Sequence, residues 1–447
     1  MRDSISRIVN IDLPAVGEEK ASSKRGDLVP LLVTAMVLVT LAVGLIAKAN
    51  GVNWRAATQP LFIIYDPVIT GWAILAAAGL GAALFFGFRL WKSNLGVAWF
   101  GLALFGLTLF TRLVLNLART GPKEWWQIYE IVPGEAGRLE YLSALPYLHN
   151  GLGAFLDRFD SLVSDLPVHA AGHPPGMIVV MDWLGITSPQ GLAALTIGVG
   201  ALATPVLYVL ARQLFDESTA RVAGLLFVFV PTSLLYGATS ADALFVTLAL
   251  VAAAGLLSRN RWLVIAGAVG LAVASFFSYA LLAAGGWAGL VRWRRDGFRS
   301  MAATALTCAV VLILFYGTLA VSTGFDVLAA IEATNYRYHD GIANVRPYFF
   351  WLFGSPAAFL IMLGPVTWYA SRSLSRKEIT ALSLAAIIVV TAVLGFTKAE
   401  TERIWFFLVP LACLAAARAL PEKSVKPVLA AMVVQAFVIQ LIFSTRW

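Results

Sequence analysis

LVPLLVTAMVLVTLAVGLIA, residues 28–47, decides the fold. As a helix rising 1.5 Å per residue, this charge-free run reaches about 30 Å, the thickness of a bilayer's hydrocarbon core. The mixed-charge residues 1–27 come first, and the run is too long and too late for a cleaved signal peptide. A cytosolic tail over 1–27 and a first membrane span are therefore expected. Runs of this kind recur along the 447 residues, of which 59% are hydrophobic and 13% charged. With a mean hydropathy of +0.79, that composition excludes a soluble globular protein. The alternating strands of a membrane barrel are absent.

The fold class expected is all-α, a polytopic transmembrane helical protein of about 13 spans. They are placed at 28–48, 67–88, 95–115, 190–211, 220–239, 242–258, 262–276, 278–291, 300–321, 347–370, 379–397, 404–419 and 427–445. Residues 28–447 form a single transmembrane domain, with a large extracytoplasmic loop at 116–189. The chain carries 33 Lys and Arg against 25 Asp and Glu, a formal charge of +8. Clusters such as Arg292–Arg295 and Arg372–Lys377 fall on alternate connections, which places the amino terminus inside and the carboxyl terminus outside. The basic balance thus reports topology and implies no nucleic-acid partner. Cys308 and Cys413 lie in apolar spans and support neither a disulfide framework nor a thiolate metal site. Every ionisable residue can be placed near a span's edge, which argues against an ion-driven carrier.

The chemistry-bearing residues gather on the outer segments. In Leu148–Val163, apolar positions recur at helical spacing, giving an amphipathic helix laid on the membrane surface or against other loops. Met177–Ile186 is too short to span and reads as a second interfacial segment, while Trp125 and Trp126 suit the headgroup belt. In Gly172-His173-Pro174-Pro175-Gly176, two prolines hold His173 on a rigid, irregular backbone. His169 lies four residues before it, but the glycine and prolines oppose a helical metal-binding pair. Upstream stands Glu140-Tyr141, with Glu124, Glu130, Glu135, Asp157, Asp160 and Asp165 as competing carboxylates. Asp242 opens a span, Tyr338 sits in a cation-aromatic cluster, and Lys398, Glu402 and Arg403 lead into the span at 404–419.

Taken in order, these pieces resemble the GT-C class of membrane glycosyltransferases, which includes the protein O-mannosyltransferases and aminoarabinose transferases. The similar motifs are Glu140-Tyr141, His173-Pro174-Pro175, Asp242-Ala243-Leu244 and Glu402-Arg403-Ile404-Trp405 running to Val409-Pro410. Leu139 stands where the class usually carries an Asp, and the large loop follows the third expected span rather than the first. The resemblance implies transfer of a sugar from a polyprenyl-phosphate donor to an acceptor hydroxyl on the extracytoplasmic face, with inversion. It makes Glu140 the base and His173 with Arg403 the donors to the lipid phosphate. Tyr141, Pro174, Pro175, Asp242, Tyr338, Lys398 and Glu402 bind substrate or support the site. Asp242 orients the site or contacts a sugar or a divalent cation; no other cofactor is implied. The acceptor is a glycan, a lipid or a protein, and membrane lipids surround the whole in a bacterial plasma membrane. The competing readings are a lipid-linked-glycan flippase and a non-catalytic assembly subunit with a degenerate transferase fold.

Overall fold

A computed structural model describes residues 27–132 and 136–445. Residues 1–26 of the tail expected at 1–27 and the competing carboxylate Glu135 lie outside the described residues. The protein is a helical, membrane-embedded molecule. Among the described residues six helices are long and apolar enough to cross a bilayer: Leu28–Ala49, Gly71–Trp91, Val97–Trp125, Pro189–Leu214, Phe298–Thr323 and Glu422–Ile442. Shorter apolar helices accompany them; Glu217–Phe229, Asp242–Leu256 and Val409–Ala419 are largely buried, while Arg261–Phe277 keeps Trp262, Leu263 and Val269 exposed.

Exposure separates two kinds of apolar helix. Val409–Ala419 and Glu217–Phe229 are almost wholly enclosed by other helices. Phe298–Thr323 buries only Thr304 and turns Ile313, Leu314 and Val321 outward. A helix that is apolar on its outer face and satisfies its own backbone needs lipid as its neighbour.

One span expected at 347–370 is not straight. Tyr348–Leu363 and Val366–Ser375 are separate helices bent by 115°. Gly364 takes φ +56° at the break, and a Cβ there would stand 2.2 Å from Gln435 Oε1. Pro365 follows, so the bend is written in a residue pair that cannot continue a helix.

The outer loop also departs from expectation. Leu148–Val163 breaks at Arg158 into Leu152–Asp157 and Phe159–Leu162. Its apolar stripe of Phe155, Leu156, Phe159 and Val163 is buried. Phe159 packs on Phe325 at 5.9 Å between ring centroids, and Phe325 on Phe276 at 5.6 Å. Of the two alternatives, the stripe therefore covers other protein segments. Gly176–Trp183 likewise buries Met177, Ile178, Val179 and Met181 instead of lying flat at the interface; Trp183 and Leu184 stay exposed. Trp125 turns inward and donates to the Leu113 carbonyl at 2.9 Å.

A second correction concerns charge within the bundle. The third span is longer than expected, running from Val97 to Thr120, so Arg112 lies about 12 Å below its outer end. Arg112 is fully buried, donates to Ser233 Oγ at 3.0 Å, and lies 5.9 Å from the rings of both Phe227 and Phe406. A cation buried at this depth costs about 2.5–3.5 kcal/mol on insertion scales.

Ion pairs bridge connections that the charge bias assigns to one side. Lys92 pairs with Glu422, Arg372 with Asp27 at 3.1 Å, and Arg418 with Glu378 at 3.6 Å. On the other side Arg119 reaches Asp66 at 2.5 Å, and Arg346 reaches Glu400 at 2.6 Å. There the strands Ile64–Tyr65 and Phe443–Ser444 pair antiparallel, tying the first outer connection to the last helix.

Candidate active site

Glu140 begins an irregular turn, Tyr141–Leu148, that folds it beneath the outer loop, where it is 1% exposed. Its Oε1 lies 2.7 Å from His169 Nδ1, and its Oε2 is buried with no hydrogen-bond partner. His169 sits on the one-turn helix Val168–Ala171. Its other nitrogen, Nε2, is 3.4 Å from Arg403 Nη2. The guanidinium continues the chain, with Nε 3.7 Å from Asp242 Oδ2 and Nη2 3.8 Å from Glu400 Oε2. Four segments remote in sequence thus meet in one line of polar and charged groups.

Arg403 owes its position to an unusual backbone. Ala399 and Glu400 both have positive φ, +68° and +64°. Non-glycine residues held in that region cost on the order of 1–3 kcal/mol each and persist only where the surroundings over-determine them. Here Ser355 accepts from the Ala399 N–H at 3.2 Å and donates to the Thr397 carbonyl at 3.1 Å. Arg346 donates to the Lys398 carbonyl at 2.5 Å while pairing with Glu400. The resulting turn drives Glu402 and Arg403 into the protein.

Asp242 opens the helix Asp242–Leu256 and accepts from Ser240 Oγ at 2.6 Å. Burial alone would lower the proton affinity of Arg403. Asp242, Glu400 and Glu140 outweigh it and hold the guanidinium above its ordinary value.

His173 borders a small cleft with Asp242, Phe245, Ser278, Leu281, Ile404 and Phe407. Its Nδ1 is buried and without a partner, and its ring meets Phe245 edge-on at 5.4 Å. Desolvation pushes its pKa down to about 4, so the ring is neutral at pH 7. Pro174 and Pro175 are buried. At Gly176 a Cβ would stand 2.4 Å from the Phe276 carbonyl oxygen, so only glycine lets this corner seat against its neighbour. Tyr141 is buried with its ring 6.5 Å from His169 and 6.4 Å from His173, its hydroxyl pushed well above the usual phenol range by desolvation.

The remaining expected residues stand further out. Tyr338 Oη accepts from the Lys398 N–H at 2.7 Å, and Lys398 Nζ donates to the carbonyls of Ala343 and Arg346. Both brace the Arg346–Glu400 pair. Glu402 is fully buried and accepts from the Phe62 N–H at 2.5 Å. Burial raises its pKa to about 7.

Sequence reading singled out Glu140, Tyr141, His173, Asp242 and Arg403, and the fold brings them together. It weighed His169 only as half of a metal-binding pair and singled out neither Glu400 nor Arg346. Of these, only His169 carried a local signal, its spacing from His173. Among the competing carboxylates, Glu130 faces Lys123 at 3.3 Å, Asp157 and Asp165 are exposed, and Asp160 is half-buried. Glu124 is buried beside Thr120. Among the described residues no group of three or more His, Cys, Asp or Glu is placed to hold a metal ion. No protein-family model matches the chain, and no curated protein matches it.

Proposed function

We propose that the protein is a polyprenyl-phosphate-sugar-dependent glycosyltransferase of GT-C type. In this reading it is a multi-pass protein of a bacterial plasma membrane, its amino terminus cytosolic and its carboxyl terminus outside. It moves a sugar to an acceptor hydroxyl on a glycan, lipid or protein at the extracytoplasmic face, with inversion. The observation carrying this reading is the convergence of Glu140, His173, Asp242 and Arg403, the residues of the resemblance, from four separate segments, with His169 between Glu140 and Arg403.

The chemistry asks little more of the protein. Attack by the acceptor oxygen breaks the bond between the anomeric carbon and the phosphate oxygen, and the prenyl phosphate departs with the electron pair. A phosphate leaves without needing a proton, so one proton acceptor and cationic or N–H partners suffice. Arg403 supplies the charge, and in a buried site it acts at lower dielectric than in water. Neutral His173 offers one N–H. Phe245 and Phe407 set apolar surface beside His173, and Asp242 and Ser278 are the polar groups next to it. The Glu140–His169 pair receives the acceptor's proton.

The test is direct. Purified protein in nanodiscs is given polyprenyl phosphates carrying radiolabelled mannose or arabinose, with washed host membranes as acceptor. Transfer of label with release of polyprenyl phosphate is expected. A protein that moves the lipid between leaflets without consuming it is a flippase, and that result defeats the proposal.

A further inference from the structure

We infer that His169, rather than Glu140, takes the acceptor's proton, with Glu140 as the carboxylate that orients the imidazole. This rests on the transferase reading and specifies its base. Glu140 is buried on every side: its side chain is 2% exposed, and its unbonded Oε2 is sealed as well. An acceptor hydroxyl would have to enter the packed interior to reach it. The His169 side chain is 15% exposed.

The contacts also assign the tautomer. A carboxylate at 2.7 Å requires Nδ1 to carry the hydrogen, which leaves the lone pair on Nε2. Carboxylate, imidazole and the lone pair on Nε2 form the order by which hydrolases generate a base. In this structure Nε2 faces Arg403 Nη2 at 3.4 Å, long for a nitrogen–nitrogen hydrogen bond and correspondingly weak. A phosphate is the stronger partner for a guanidinium.

Donor binding and base strength are therefore linked. An imidazolium beside the Arg403 guanidinium is unfavourable, and a phosphate on Arg403 adds its negative charge to that of Asp242 and Glu400 and lowers the repulsion further. Glu140 then stabilises the new cation from the opposite nitrogen. Nε2 gains the hydroxyl proton, the acceptor oxygen bonds to the anomeric carbon, and the phosphate leaves with its electron pair. Glu140, Arg403, Tyr141 and His173 surround the ring.

The experiment compares wild type, H169A, H169Q and E140Q in nanodiscs, using the same labelled mannose and arabinose donors and host membranes. Expected are losses in kcat on the order of 10²–10⁴-fold for both His169 variants. Elution profiles and donor binding should stay as in wild type, with Gln keeping the packing where Ala does not. Added imidazole should restore H169A at least tenfold and leave E140Q unchanged. Activity of both His169 variants within tenfold of wild type overturns the inference, as does failure of imidazole to restore H169A. Failure of wild type to consume either donor falls instead on the transferase reading itself.

Discussion

Arg403 carries more of the proposed chemistry than any other side chain, and its neighbours explain why lysine cannot replace it. A planar guanidinium can face Asp242, Glu400 and His169 at once, which a point-like ammonium cannot. Arg403→Lys should lower kcat/KM for labelled donor on the order of 10²–10³-fold in the same transfer assay, with expression unchanged. Glu402 makes a different kind of prediction. Its pKa rises from 4.5 unfolded to about 7 folded, so the folded state binds the extra proton between those values. Stability from this group is complete below about pH 4.5 and is lost as pH rises through about 7, on the order of 3 kcal/mol in all. Glu402→Gln should flatten the thermal-unfolding midpoint over that window, read by tryptophan fluorescence in detergent. Residue types in order along the chain made Glu140, His173, Asp242 and Arg403 legible. His169 was not, because its meaning comes from a carboxylate and a guanidinium delivered by other segments. Arg112 was misplaced because the end of an apolar run does not reveal how far a helix continues.

Among elements, the bent pair Tyr348–Leu363 and Val366–Ser375 does most to shape the outer face. It presents Ser355, whose hydroxyl meets two groups of the left-handed turn that aims Arg403. Gly364→Ala meets both an unfavourable φ and the Gln435 amide, so the bend must relax. A loss of about 1–2 kcal/mol or more is expected from the backbone term alone. The check is a lowered unfolding midpoint together with reduced transfer. Composition exposed the apolar stretch at 347–370, and Gly364-Pro365 was visible in it. Its length suggested one crossing, since hydropathy counts residues and does not register direction. The amphipathic spacing in Leu148–Val163 found the right buried face, whereas the neighbour covering that face depended on Phe325, far along the chain.

Over the whole molecule, the charge bias and the ion pairs describe the same two sets of connections. In a background lacking Cys308 and Cys413, Asp340→Cys should react with an impermeant maleimide on intact cells. Arg376→Cys should react only after permeabilisation; the reverse pattern would invert the orientation. Architecture was readable at this scale because lipid imposes a single rule on every apolar helix. The exact crossings were not, because short enclosed helices carry the same composition as spanning ones. The two-residue pairing of Ile64–Tyr65 with Phe443–Ser444 has a consequence for biogenesis. Its first partner leaves the ribosome near the start of synthesis and its second only after the bundle has been made. Phe62, anchored to Glu402, waits almost as long, until the segment before the last helix has been made. The early connection therefore stays unfastened until the last helix inserts, and this tie forms as a late event of assembly.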